Sequence, residues 1–180
     1  MIDDEQIDNM LLPEYGVHKE NHAERYIEHF LEQYRIYLHV FNGTSERRQK
    51  ANEFFLGLNT AIMAFLGYIE VKQDAAIPHA PMVFTLVPLV GVAICYCWFE
   101  IICSFKQLNR AKFKVIHRLE RKLPAKMFET EWELLGRGKD RTKYNALSNI
   151  EKKIPLMFVI LYLVIFFANF PPYALVGLFH

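Results

Sequence analysis

The chain has 180 residues, 52% of them hydrophobic and 23% charged, with a formal net charge of +1. That balance argues against a nucleic-acid partner, and the placement of the charges excludes an ordinary soluble domain. Phe54–Ile69, Ala75–Phe99 and Ile154–Phe179 carry no Asp, Glu, Lys or Arg, and each is close to the ~20 helical residues that cross a hydrocarbon core.

In chain order, the acidic start MIDDEQIDNM lacks the basic and apolar regions of a secretory signal, so no cleavage is expected. His18 and His22 are four apart and would share a helical face, but the stretch reads HKENH, without a third ligand, and no metal is expected. Residues 21–41 place Tyr26, Ile27, Phe30, Leu31, Tyr34, Leu38 and Phe41 at three- and four-residue spacing, an amphipathic helix packed on other helices. Asn42-Gly43 is expected to end it, with Thr44 or Ser45 capping the next. Apolar spans follow at 52–71 and 82–104. The second has no inner stop, and FKQLNRAKFKVIHRLERKL predicts a helix continuing to Pro124. Cys95, Cys97 and Cys103 read as small packing residues.

Trp132, Leu134 and Leu135 predict a short packed helix, and GRGKDRTK a turn-rich loop. Ser148-Asn149-Ile150-Glu151 has the form of a capping box that launches a third span, 154–176. Lys152 and Lys153 lie where basic side chains reach headgroups, and Pro155 either kinks that helix or resets its start. The divisions are therefore 1–51, 52–104 as a transmembrane hairpin, 105–153 as a basic cytoplasmic loop, and 154–180. Six basic residues precede the first span, Lys72 alone lies in the short loop, and fourteen fall in 105–153. The positive-inside rule then puts the N-terminus in the cytoplasm and the C-terminus outside. Eight basic residues with one acid between Lys106 and Lys126 suit a surface near anionic headgroups.

Two constellations stand out. Glu53, Gly57, Thr60, Ala64 and Gly67 fall in one narrow helical stripe. Small residues there let helices approach closely in lipid, so the face is expected to pack on another helix, the chain's own second span or one of a neighbouring subunit, and Glu53 and Thr60 could alternatively line an axial passage. Asn52 and Asn59 lie on an adjacent face, available for a hydrogen bond to a neighbouring helix. Glu100 near hydrocarbon requires a partner, and Arg47 or Arg48 is expected to supply it. Gly136-Arg137-Gly138-Lys139 is not a phosphate loop and no GxSxG elbow occurs, so neither an enzyme nor a cofactor is expected.

The stretch YRIYLHVFNGTSERRQKANEFFLGLNTA, with WFEIICSFKQLNRAKFKVIHRLERKLPAKMFETEWELLGRGKDRTKY and the IEKKIP entry, resembles the RipA family of small octameric bacterial membrane proteins. Its marks are Arg47, Arg48, Asn52, Phe55, Asn59 and Thr60, then Trp98, Leu108, Asn109, Lys112, Phe113, Leu123, Pro124, Glu131 and Trp132. The resemblance implies a homo-oligomer of the bacterial cytoplasmic membrane, an octamer, linked to fitness and intracellular growth and without established enzymatic activity. The first block is also similar to SLATT domains, two-span proteins proposed as pore-forming effectors. The third span and long basic loop depart from that pattern. The reading is an all-α, three-span inner-membrane protein with a helical cytoplasmic layer and a ring-like assembly. It serves as a scaffold or envelope-homeostasis factor, with a gated pore as the rival.

Overall fold

A computed structural model describes residues 4–12, 23–72, 80–138 and 147–169. Its helices are α1 (Asp4–Leu11), α2 (Ala23–Val71), α3 (Ala80–Glu120), α4 (Met127–Leu134), α5 (Leu147–Glu151) and α6 (Lys153–Asn169), with a 3-10 turn at Gly136–Gly138. Among the described residues there is no strand. Two stretches, Arg25–Val71 and Met82–Glu120, are long and apolar enough to cross a membrane. Their 47 and 39 residues far exceed what a hydrocarbon core takes. The 17 residues of α6 are apolar on every side, and the expected third span continues into 170–176, outside the described residues.

The chain divides into two compact units. One, here the polar unit, comprises Met1–Glu46 and Leu108–Asp140; the other, the apolar unit, comprises Arg47–Gln107 and Arg141–His180.

In the polar unit the two long helices run antiparallel. Phe41 meets Phe113 edge-on, with ring centroids 4.9 Å apart, and further along the Tyr34 hydroxyl donates to Glu120 Oε1 at 3.3 Å. Phe30, Tyr34 and Ile116 are buried there. The start of the chain is tied in by Asp8, whose Oδ2 accepts from Arg118 Nη1 at 3.0 Å.

The helix end expected at Asn42-Gly43 does not occur, because α2 passes through it. A mid-helix glycine costs only about 1 kcal/mol, and packing outweighs that. Buried Thr44 caps nothing; its hydroxyl donates back to Val40 C=O at 3.1 Å, and the Lys112 ammonium donates to both Val40 C=O and Thr44 Oγ1.

Among the described residues of α2, α3 and α6 in the apolar unit, the buried positions fall three, four or seven residues apart. They are Asn59, Leu66 and Ile69 on α2; Phe84, Pro88, Gly91, Cys95, Trp98 and Ile102 on α3; and Pro155 and Tyr162 on α6. A 3.5-residue period keeps one seam facing its neighbours when helices cross at a shallow angle. Leu66, Ile69, Phe84, Cys95 and Tyr162 form the core, with Ile62, Val87, Phe158 and Ile165 packed around them.

The capping box also resolves differently. Ser148 lies buried inside α5, not at a cap, and Glu151 turns to Arg48 instead of back to Ser148. Proline cannot donate its nitrogen to the preceding turn. The chain breaks at Lys152 and restarts at Lys153, with Pro155 in the first turn of α6, so this proline resets the helix.

Candidate functional site

The stripe on α2 faces outward along its whole length. Glu53, Gly57, Thr60, Ala64 and Gly67 are all exposed in the protomer. A Cβ built at Gly57 or Gly67 would meet nothing within 4 Å. The polar members are satisfied locally: Gln49 Nε2 donates to Glu53 Oε1 at 2.9 Å, and the Thr60 hydroxyl donates to Leu56 C=O at 2.8 Å. Thr60 therefore exposes a methyl and a hydroxyl oxygen without carrying an unmet donor. Such a face admits another helix to backbone distance.

The adjacent asparagine face points the other way, into the protomer. Asn59 is fully buried, and it is the node of three helices. Its Nδ2 donates to Phe55 C=O at 2.8 Å within α2. Its Oδ1 accepts from the Tyr162 hydroxyl of α6 at 3.0 Å and from the Cys95 thiol of α3 at 3.2 Å. Both lone pairs of that oxygen are used. One turn pair earlier, Asn52 Oδ1 accepts the Trp98 indole N–H at 2.9 Å, and Trp98 stacks on Phe55 with centroids 5.8 Å apart. Gly91 completes the arrangement, since a Cβ there would lie 2.5 Å from each Tyr162 Cε. The glycine is the space in which the tyrosine ring sits.

At the polar end of this unit, the pairing expected between Glu100 and Arg48 does not form. Glu100 is exposed, and the Arg48 guanidinium faces Glu151 instead, Nε to Oε1 3.8 Å, with both side chains largely buried. Short helix α5, which no spacing argument joined to the first span, brings that carboxylate in. At 3.8 Å the pair attracts without a hydrogen bond, and Arg48 Nε and Glu151 Oε2 have none among the described residues. Arg47 is exposed. Lys106 Nζ donates to Asn149 Oδ1 at 2.8 Å, and Lys152 Nζ lies 5.0 Å from the Phe99 ring centroid.

In the polar unit, Glu120 is a residue the sequence reading passed over. It is fully buried and accepts from the backbone N–H groups of Phe128 and Glu129, each at 3.0 Å. These are the second and third residues of α4, whose own N-cap position, Lys126, supplies no side-chain cap. The last residue of one helix thus caps the next, a carboxylate placed at the positive end of the α4 dipole. This explains an eight-residue helix with no buried residue of its own; the packing expected of Leu134 is missing, as it is 75% exposed. Burial and the Glu120 charge push the Tyr34 hydroxyl pKa up to about 12. A surface pair, Arg137 with Glu133, holds the Glu133 carboxyl below its usual range. Gly136, Arg137 and Gly138 all have positive φ, near 54–68°.

His18 and His22 lie outside the described residues. Among the described residues no group of three or more His, Cys, Asp or Glu could hold a metal.

A family model described as the octameric membrane protein family (8xMP) matches residues 31–171. No curated protein and no solved structure matches the chain.

Proposed function

We propose that this chain, which belongs to the octameric membrane protein family, spans the bacterial inner membrane three times and closes into a ring of eight copies. The ring is a non-enzymatic scaffold that supports envelope homeostasis, and it takes no cofactor. The observation that carries this reading is the division of faces on the apolar stretch of α2. The asparagine face is spent inside the protomer on Cys95, Trp98 and Tyr162. The small-residue face is left bare, with open space over Gly57 and Gly67. Lipid chains gain little from a bare glycine groove, whereas a second helix gains close van der Waals contact. The cytoplasmic side holds both the N-terminus and the basic stretch after Leu108, a placement supported by the lysine and arginine asymmetry.

Native mass in detergent or nanodiscs tests the assembly. The expected result is eight chains for the native protein and a smaller species for Gly57→Leu/Gly67→Leu. An unchanged octamer in that variant would place the subunit contact elsewhere. A periplasm-specific reporter fused after His180 is expected to be active, and a silent one would remove the third crossing. A second reading, the gated pore, draws on exposed Glu53 beside Thr60 on the same face. Ion flux through liposomes that Glu53→Gln abolishes would favour it over the scaffold.

A further inference from the structure

The described residues of the polar unit present two charged ridges that make no ion pair with another helix of the protomer. On α2, Glu28, Glu32 and Glu46 recur at 4- and 14-residue intervals, so they share one face. That face is opposite the one carrying Phe30, Tyr34 and Phe41, which packs on α3. All three carboxylates are exposed; Arg35 and His39 share their face, and among the described residues the ion pair there is a 4.0 Å contact of Glu32 with Arg35 on the same helix. On α3, Arg110, Lys114 and Arg121 follow at 4- and 7-residue steps and are likewise exposed on one face. Among the described residues none of the three pairs with a carboxylate. Apolar side chains flank the ridges: Ile27, Leu31, Ile36 and Val40 beside the acids, Phe113 beside the bases, all between 38% and 58% exposed. A surface meant only for water has little reason to expose these.

The two ridges also match in level. Residue 41 faces residue 113, and residue 34 faces residue 120, so each step up α2 corresponds to one step down α3. By that register Arg110 stands level with residue 44 and Arg121 with residue 33. The carboxylates of Glu46 and Glu32 are thus within two residues of the same levels, about 3 Å of helical rise. In a ring, neighbouring copies are related by rotation about one axis, and groups that meet across the contact lie at equal height along it. The two ridges are different surfaces, as a head-to-tail contact requires and a two-fold contact does not.

We infer that the acidic ridge of α2 binds the basic ridge of α3 in the next copy of this chain, with Glu46 opposite Arg110 and Glu32 opposite Arg121. The contact rests on the ring reading above and adds to it a second, charge-coded layer. Opposite charges at matched height fix which copy faces which way and disfavour any pairing of like ridges.

Two singly substituted chains with different tags, Glu46→Cys and Arg110→Cys, are co-expressed in a Cys97→Ala/Cys103→Ala background and oxidised in membranes. A disulfide-linked band carrying both tags is expected, and a second band from Glu32→Cys with Arg121→Cys. Neither band can arise within one chain. Arg110→Glu/Arg121→Glu is expected to lose the octamer peak in native mass, and adding Glu32→Arg/Glu46→Arg to bring it back. Absence of both mixed bands from an octameric protein overturns the contact. So does an intact octamer in Arg110→Glu/Arg121→Glu whose binding to phosphatidylglycerol vesicles has fallen, which would assign the basic ridge to lipid. A monomeric native protein would overturn the ring itself and this contact with it.

Discussion

The apolar and polar units face opposite problems of solvent, and their interiors differ accordingly. In the apolar unit the exterior is hydrocarbon-like, with Phe54, Phe65, Tyr68 and Val90 more than half exposed, while fully buried Asn59 sits at the centre. In the polar unit Glu28, Glu32, Arg110 and Lys114 face outward and Phe30 and Ile116 face in, the ordinary arrangement in water. Apolar burial gives little net attraction where the surroundings are equally apolar. The apolar unit is therefore specified by shape and by hydrogen bonds, through Gly91, Asn52 and Asn59. The polar unit can rely on the hydrophobic effect for its core and spends the fully buried Glu120 carboxylate on a local task, capping α4.

Substitutions separate the two modes. The largest effect is expected from Gly91→Val, which drives a branched side chain into the space of the Tyr162 ring. Overpacking of this kind costs roughly 3 kcal/mol and should detach α6 from the seam, seen as a lowered Tm in detergent. A wild-type melt would show that shape does not govern this unit. Asn59→Leu keeps the branched shape and removes the node, leaving the Tyr162 and Cys95 donors unmet, at about 2 kcal/mol. If leucine stabilises instead, the apolar unit obeys the same rule as the polar one. Glu120→Ala removes the cap of α4 and costs roughly 1–2 kcal/mol. The readout is faster amide hydrogen exchange across Phe128–Leu134, with the Asn59 region unchanged.

The smallest effect is a pH dependence confined to the polar unit. Folding favours the protonated Tyr34, whose pKa rises from 10.0 to about 12. Its contribution is therefore complete below pH 10 and is lost as the pH climbs toward 12. Tyr34→Phe should flatten that part of the stability profile; an identical alkaline fall in the variant would assign the effect to another group.

Charge-free length was enough to find the apolar stretches, and the stripe from Glu53 to Gly67 was legible because small residues are conspicuous among Phe and Leu, but spacing alone left the chain's own second span and a neighbouring copy as equal partners for it. The inward seam was not legible. Within lipid both faces of a helix are apolar, so α6 shows no preferred side although Pro155 and Tyr162 are buried on one of them. Asn52 and Asn59 were visible as polar residues needing partners, but spacing along one helix cannot name Trp98 or Tyr162 on another. The same blindness produced the wrong partner for Arg48, since Glu151 was read as part of its own helix start. At Asn42-Gly43 local breaking signals were overruled by tertiary contacts, the hydroxyl of Thr44 and the ring of Phe113. The Glu120 cap is a contact between consecutive helices across a proline-containing turn, and nothing in the local pattern of either helix points to it.

The chain contains two tryptophans, and they fall one in each unit: Trp98, buried against Phe55 and hydrogen-bonded to Asn52, and Trp132, more than a third exposed on α4. Intrinsic fluorescence consequently carries two separable signals, a blue emission from a dry indole and a redder one from a wet indole. Trp132→Phe leaves a chromophore that watches only the seam between the helices of the apolar unit. Trp98→Phe leaves one that watches only the polar unit, with no dye attached to either.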